Sequence, residues 1–147
     1  MNPIEDLIAE HQLIERELLE FETIIDDPQT NYPNLIHVLK RLIPLWNNHE
    51  IKEEQIFPLF KKERISVPVN EMLFEHRKLR RHKEAIENAL NSESDFEVRH
   101  AIETHGSIIV TELREHIKKE DNIFYTLDSS EFSPEELEMI KEILASQ

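Results

Sequence analysis

The sequence has no cysteine. That excludes a disulfide framework, thiolate metal sites and thiol chemistry, so any metal would be held by nitrogen and oxygen. Its 147 residues include a single glycine, Gly106, too few for the glycine-dependent turns of a sheet protein. No stretch approaches the ~20 apolar residues that cross a bilayer. The opening MNPIEDLIAEH is acidic and amphipathic, not a charged segment followed by an apolar run. Lys and Arg number 17 against 31 Asp and Glu, a formal net charge of −14. Nucleic acid and anionic lipid both call for clustered cations. The one basic cluster, Arg77-Lys78-Leu79-Arg80-Arg81, is short and embedded in an acidic chain. The expectation is a soluble, cytoplasmic protein without a nucleic-acid or membrane partner.

What is present is charge and apolar residues in helical order. The length suits one domain, residues 1–147. Asn2-Pro3 reads as an N-cap with proline opening a helix that runs to about Asp27. Asn31-Tyr32-Pro33 opens a second, carrying to about Phe60, with Pro44 expected to kink it. Ser66-Val67-Pro68 opens a third, ending near Asn91. Ser94-Asp95-Phe96-Glu97 has the capping-box form and starts a fourth, ending near Leu127. Ser133-Pro134-Glu135-Glu136 repeats that form and predicts a short fifth helix, about 133–146, that covers one end.

Apolar residues recur every three or four positions along each of the four long segments, which predicts an all-α, up-and-down antiparallel four-helix bundle over about 3–127. The exceptions carry the information. His11, His49, Glu53, His76, His116 and Glu120 occupy seam positions where Leu or Ile is expected. Lys83 does too, and its long stem suggests that it snorkels out past a helix end.

The polar seam is written twice. HEIKEEQIF, from His49, and HIKKEDNIF, from His116, both read His-x-x-x-Glu-[Glu/Asp]-x-Ile-Phe. Glu10-His11 recurs as Glu75-His76, so the first two helices look like a duplicate of the next two. A histidine and a glutamate four apart share a helix face, roughly 6 Å apart along the axis. Spacing places His11 and His49 at similar heights, while the third and fourth helices disagree by about a turn. A buried, metal-free hydrogen-bonded cluster is one reading. Ionised carboxylates among imidazoles in an apolar core would then need unusually complete pairing. Two divalent metals remove that difficulty: imidazole with carboxylate suits iron, manganese or zinc, and the lack of sulfur disfavours copper(I).

A lone His on helix one, His-x-x-x-Glu on two, Glu-His on three and His-x-x-x-Glu-[Glu/Asp] on four resembles the hemerythrin family, in its HHE cation-binding branch. The resemblance runs from about Ile4 to Leu127. It implies two iron ions inside the bundle, bridged by two carboxylates and an oxo or hydroxo group, with one iron open to a small ligand and manganese or zinc as possible substitutes. By the same resemblance His11, His49, His76 and His116 would be terminal ligands, with Glu53 and Glu120 as bridges. Two departures stand out. Oxygen-carrying members place a second histidine four residues after that of helix three, and here that position is Arg80, expected to pair with a carboxylate such as Glu15. Glu50, directly after His49, is similar to an extra glutamate ligand in an iron-sensing branch and becomes a further candidate ligand to one metal. Oxygen carriers use the carboxylate five after the last histidine, which selects Asp121; the seam selects Glu120. His105 is expected in core or edge hydrogen bonding, and His37, His82 and His100 at the surface.

The resemblance supports a protein that binds or senses O2, NO, peroxide or iron status. The alternative is a di-iron oxidase or peroxidase, or an enzyme that repairs iron centres. Repair-type relatives carry a cysteine-bearing N-terminal segment, whereas this chain starts at the bundle, and a sensor here would need a separate signalling partner. A metal-free interaction bundle is the third reading. Oligomeric state is not legible.

Overall fold

The computed structural model describes residues 3–61, 67–127 and 129–146. Five helices account for nearly all of them: α1 (Ile4–Asp26), α2 (Tyr32–Ile56), α3 (Val69–Asn91), α4 (Asp95–Phe124) and α5 (Pro134–Ala145). No strand occurs among the described residues. The caps follow the sequence in part. Asn31 accepts from the Asn34 amide, and Ser133 forms the full reciprocal box with Glu136. Ser94 accepts from the Glu97 amide, but its own N–H donates to Ser92 Oγ, so only half of the expected box forms. Asn2 and Ser66, the caps expected for α1 and α3, lie outside the described residues. The second helix stops short of Phe60: Phe57–Phe60 tightens into a 3₁₀ turn, because Pro58 lacks the N–H that would continue the α-helix. Pro44 lies within the continuous span of α2. The fourth helix closes at Phe124, three residues before the expected end.

α1–α2 and α3–α4 are the most closely packed pairs, with α1–α4 and α2–α3 completing a four-helix bundle. Residues early in α1 and α3 meet residues late in α2 and α4, as His11 meets His49 and His76 meets His116, so neighbouring helices run antiparallel. The rings of these pairs are 4.4 and 4.8 Å apart. The turn of mismatch between α3 and α4 is therefore absorbed away from the seam histidines. At the start of α4, Phe96, 72% exposed, stacks on the exposed His100.

The apolar interior is divided. One compartment, around Phe21, Leu39, Trp46 and Ile109, fills the end formed by the close of α1 and α3 and the start of α2 and α4. A second gathers Leu7, Phe57, Phe60, Met72, Phe124 and Phe132 at the opposite end. α5 covers that end, as the sequence suggested, by burying Ile140 completely. Between the compartments lies a layer of buried His11, His49, Glu53, His76, His116 and Glu120.

Candidate metal centre

All six polar seam residues are buried and converge. His11, His49, Glu53 and Glu120 offer four donor atoms within 4.8 Å of one another, and Glu53, His76, His116 and Glu120 offer four more within the same limit. Both groups contain both glutamates. Glu53 turns Oε2 toward His11 and His49, at 3.3 and 3.0 Å, and Oε1 toward His76 at 3.2 Å. Glu120 turns Oε1 toward His11 at 3.0 Å, and Oε2 toward His76 and His116, at 3.2 and 2.9 Å. Each carboxylate thus divides its two oxygens between two groups of histidines.

These distances are those of ion pairs, yet most of the atoms lack hydrogen-bond alignment. Nε2 of His11, His49 and His116, with Glu53 Oε2 and Glu120 Oε1, have no hydrogen-bond partner despite complete burial. They face common points between the side chains. Orphaned buried polar atoms are costly, and a cation at each common point would satisfy them. His76 differs: its Nε2 is aligned to Glu120 Oε2, and its Nδ1 is the orphan, with Glu54 Oε2 at 3.5 Å.

The outward ring nitrogens explain the remaining letters of the repeat. His49 Nδ1 donates to Glu10 Oε1 at 2.8 Å, and Lys52 Nζ donates to Glu10 Oε2 at 2.9 Å. His116 Nδ1 donates to Glu75 Oε1 at 2.8 Å, and Lys119 Nζ to Glu75 Oε2 at 3.0 Å. His11 Nδ1 donates to Asp121 Oδ1 at 2.6 Å. In each nonapeptide the carboxylate after the buried glutamate, Glu54 or Asp121, faces the lone histidine of the other half. The final phenylalanine covers that same ring: Phe57 lies against His76 at 5.6 Å, and Phe124 stacks on His11 at 5.8 Å. A carboxylate behind an imidazole fixes its tautomer and raises its basicity. Sequence reasoning noted the recurrence of Glu10 and Glu75 but gave them no role, and it missed Lys52 and Lys119. The lysine three after the first histidine of each repeat was the available signal.

The side chains of the layer also shift one another's titration. Burial works against the charged imidazoles, but the surrounding carboxylates prevail: His49 rises to about 9 under Glu53 and Glu10, and His76 to about 11 under Glu120 and Glu53. His11 rises well above its ordinary value through Asp121, Glu120 and Glu53, and His116 rises through Glu120. Burial likewise opposes the Glu53 carboxylate, and His49, His11 and His76 hold it well below the usual range. Glu120 is lowered too, against burial and the neighbouring Glu53, by His116 and His11.

Glu50 is engaged elsewhere. Arg80 binds it through both Nε, at 3.0 Å, and Nη2, and Lys83 Nζ lies 3.3 Å from its other oxygen. It shares a donor group with Glu54 and His76, not with the two groups that share Glu53 and Glu120. Arg80 pairs with Glu50 and Glu54, rather than with Glu15. The two departures from the oxygen-carrier pattern, Glu50 and Arg80, are thus one ion pair. Lys83 does not snorkel. Eight residues of α3 follow it, its exposure is 3%, and its ammonium sits 4.7 Å from the Trp46 ring centre, beside Glu50. His82, expected at the surface, is half-buried, with its Nδ1 2.9 Å from that of His105. Burial and the nearby His82 and His100 lower the His105 pKa.

No curated protein and no solved structure matches the chain. The family model described as Hemerythrin HHE cation binding domain matches residues 2–127, the span that carries all six buried donors. With two histidine–glutamate groups sharing both carboxylates inside a four-helix bundle, the chain belongs to the hemerythrin HHE cation-binding domain family.

Proposed function

We propose that the centre holds two iron ions and that the protein binds or senses a small molecule there: dioxygen, nitric oxide or a peroxide. In this reading His11 and His49 bind one ion, His76 and His116 the other, and Glu53 and Glu120 bridge both. The observation that carries it is the division of each carboxylate's oxygens between the two histidine groups. When bound, the ions supply redox chemistry toward the small molecule. Imidazole and carboxylate suit iron, and manganese or zinc fits the same donors.

The chain's own residues define what can reach the ions. Glu10, Glu75 and Asp121 hold the imidazoles through Nδ1 and keep Nε2 directed inward. Phe57 and Phe124 cover the His76 and His11 rings on one side. On the other side a cavity of about 10 Å³ lies between the donors and Ile14, Trp46, Leu113 and Ile117. That is room for about one water-sized occupant. Glu50 lines this cavity while paired to Arg80 and Lys83, and so forms its wall.

Protein purified without added metal should contain two irons per chain, and its optical spectrum should change on reduction with dithionite and again on exposure to air or nitric oxide. Metal-free protein with full stability and no spectral response would overturn the reading.

A further inference from the structure

Between α2 and α3 the surface opens into a cleft of about 280 Å³ bordered by Glu50, Arg80 and Lys83. Two small spaces of about 10 Å³ adjoin it through shared residues. One is the cavity at the centre, which Glu50 also borders. The other is apolar, with Phe21, Leu39 and Ile109 around it, and Lys83 borders it. Trp46 is common to both inner spaces. Glu50 therefore stands between the cleft and the centre, and Lys83 between the cleft and the apolar space.

The three charged residues are unequally exposed. Glu50 and Lys83 are each 3% exposed, whereas the Arg80 side chain is 38% exposed. A side chain that reaches the surface thus latches a buried carboxylate. Two further clefts border the donors directly: one of about 310 Å³ beside Met72 and Ile123 is lined by His116 and Glu120, and one of about 120 Å³ beside Leu79 is lined by His116. A molecule entering by α2–α3 meets instead the Glu50–Arg80–Lys83 cluster.

We propose that the Glu50–Arg80–Lys83 cluster gates passage of a small uncharged molecule from the α2–α3 cleft to the centre. Charged molecules are refused because the spaces behind the gate are about one water across, and burying an unpaired ion there is costly. The proposal rests on reading the centre as a small-molecule site, yet the gate can be tested without metal. Trp46 is the only tryptophan and lies directly behind it.

Quenching of Trp46 fluorescence by dissolved oxygen in metal-free protein, corrected for each variant's own lifetime, measures entry. Arg80→Gln should raise the bimolecular quenching constant at least threefold, and Arg80→Lys, which keeps the charge, should raise it less. Iodide should stay excluded in both, and Ile123→Ala, which widens the cleft beside Met72, should change nothing. An unchanged constant in Arg80→Gln overturns the proposal, as does entry of iodide or an equal rise in Ile123→Ala. In metal-loaded protein, association and dissociation rates of nitric oxide should rise by one common factor in Arg80→Gln, leaving Kd unaltered; a shifted Kd makes Arg80 a determinant of affinity and overturns a purely gating role. A parent that holds no metal and binds no nitric oxide sinks the proposed function, while the oxygen-quenching result still decides the gate.

Discussion

Glu10 on α1 and Glu75 on α3 hold equivalent positions: each lies 2.8 Å from Nδ1 of the histidine that opens a repeat, and each is steadied from outside by a lysine one turn further along the repeat's helix. Both carboxylates are held below their usual range: burial opposes, and the paired histidine and lysine prevail. Neither faces the shared donor points, so both act through the rings that they orient.

Glu10→Gln and Glu75→Gln should therefore weaken metal binding by about 10–100-fold while leaving the helices intact. Competition against a chelator of known affinity measures the first, and far-UV circular dichroism the second. Equal losses in the two variants are expected, because the two contacts are equivalent.

The carboxylates at positions 120 and 121 should separate sharply. Glu120→Gln takes one oxygen and the negative charge from a side chain that both groups share and is expected to empty both, whereas Asp121→Asn keeps an amide oxygen toward His11 Nδ1 and removes only the charge behind that ring. Metal content per chain after gel filtration reads the difference. A filled Glu120→Gln beside an empty Asp121→Asn would reverse the assignment.

Metal-free protein should lose stability toward alkaline pH. His49 rises from an ordinary 6.5 to about 9 on folding, so its contribution is complete below 6.5 and disappears as pH climbs through 9. His76, raised to about 11, extends the loss further. Glu53 is shifted the opposite way, and its contribution fades as pH falls through the range below its ordinary value. Urea midpoints at a series of pH values should peak from about 5 to 6.5. Metal binding must displace the imidazole protons, so affinity should rise with pH over the interval where apo stability falls.

Two backbone positions invite stabilisation. Glu93, between α3 and α4, has φ of 56°, a left-handed conformation that glycine adopts without the Cβ penalty. Glu93→Gly is expected to add about 0.5–1 kcal/mol. A Cβ on Gly106 would meet Ile102 and Ile25 side-chain atoms at 3.4 Å, ordinary contact. Gly106→Ala should gain up to about 1 kcal/mol of helix propensity. Thermal or urea unfolding of metal-loaded protein checks both.

The fold was legible because three- and four-residue spacing determines which side of a helix faces inward, whatever the side chain. Thus His11, Glu53 and Glu120 could be placed as securely as Leu7 or Leu113. Helix ends were less legible, since Pro58 converts the close of α2 into a 3₁₀ turn within an otherwise periodic pattern. Glu10, Glu75, Lys52 and Lys119 were given no role because they flank the seam, where spacing does not distinguish a solvated charge from one turned toward a neighbour. Glu50, named as a candidate ligand, and Lys83, expected to snorkel, are brought together only by the α2–α3 packing, which neither helix's own spacing reveals.

The charged layer between the Phe21 and Phe60 compartments also bears on how the molecule comes apart. Each compartment is a local hydrophobic unit, and side-chain cohesion across the layer between them depends on ions. Without metal, amide hydrogens at the two ends should exchange with different free energies, as two foldons linked by continuous helices. With metal bridging Glu53 and Glu120, the two protection levels should merge into one global opening event, so that filling the centre changes the cooperative unit of unfolding.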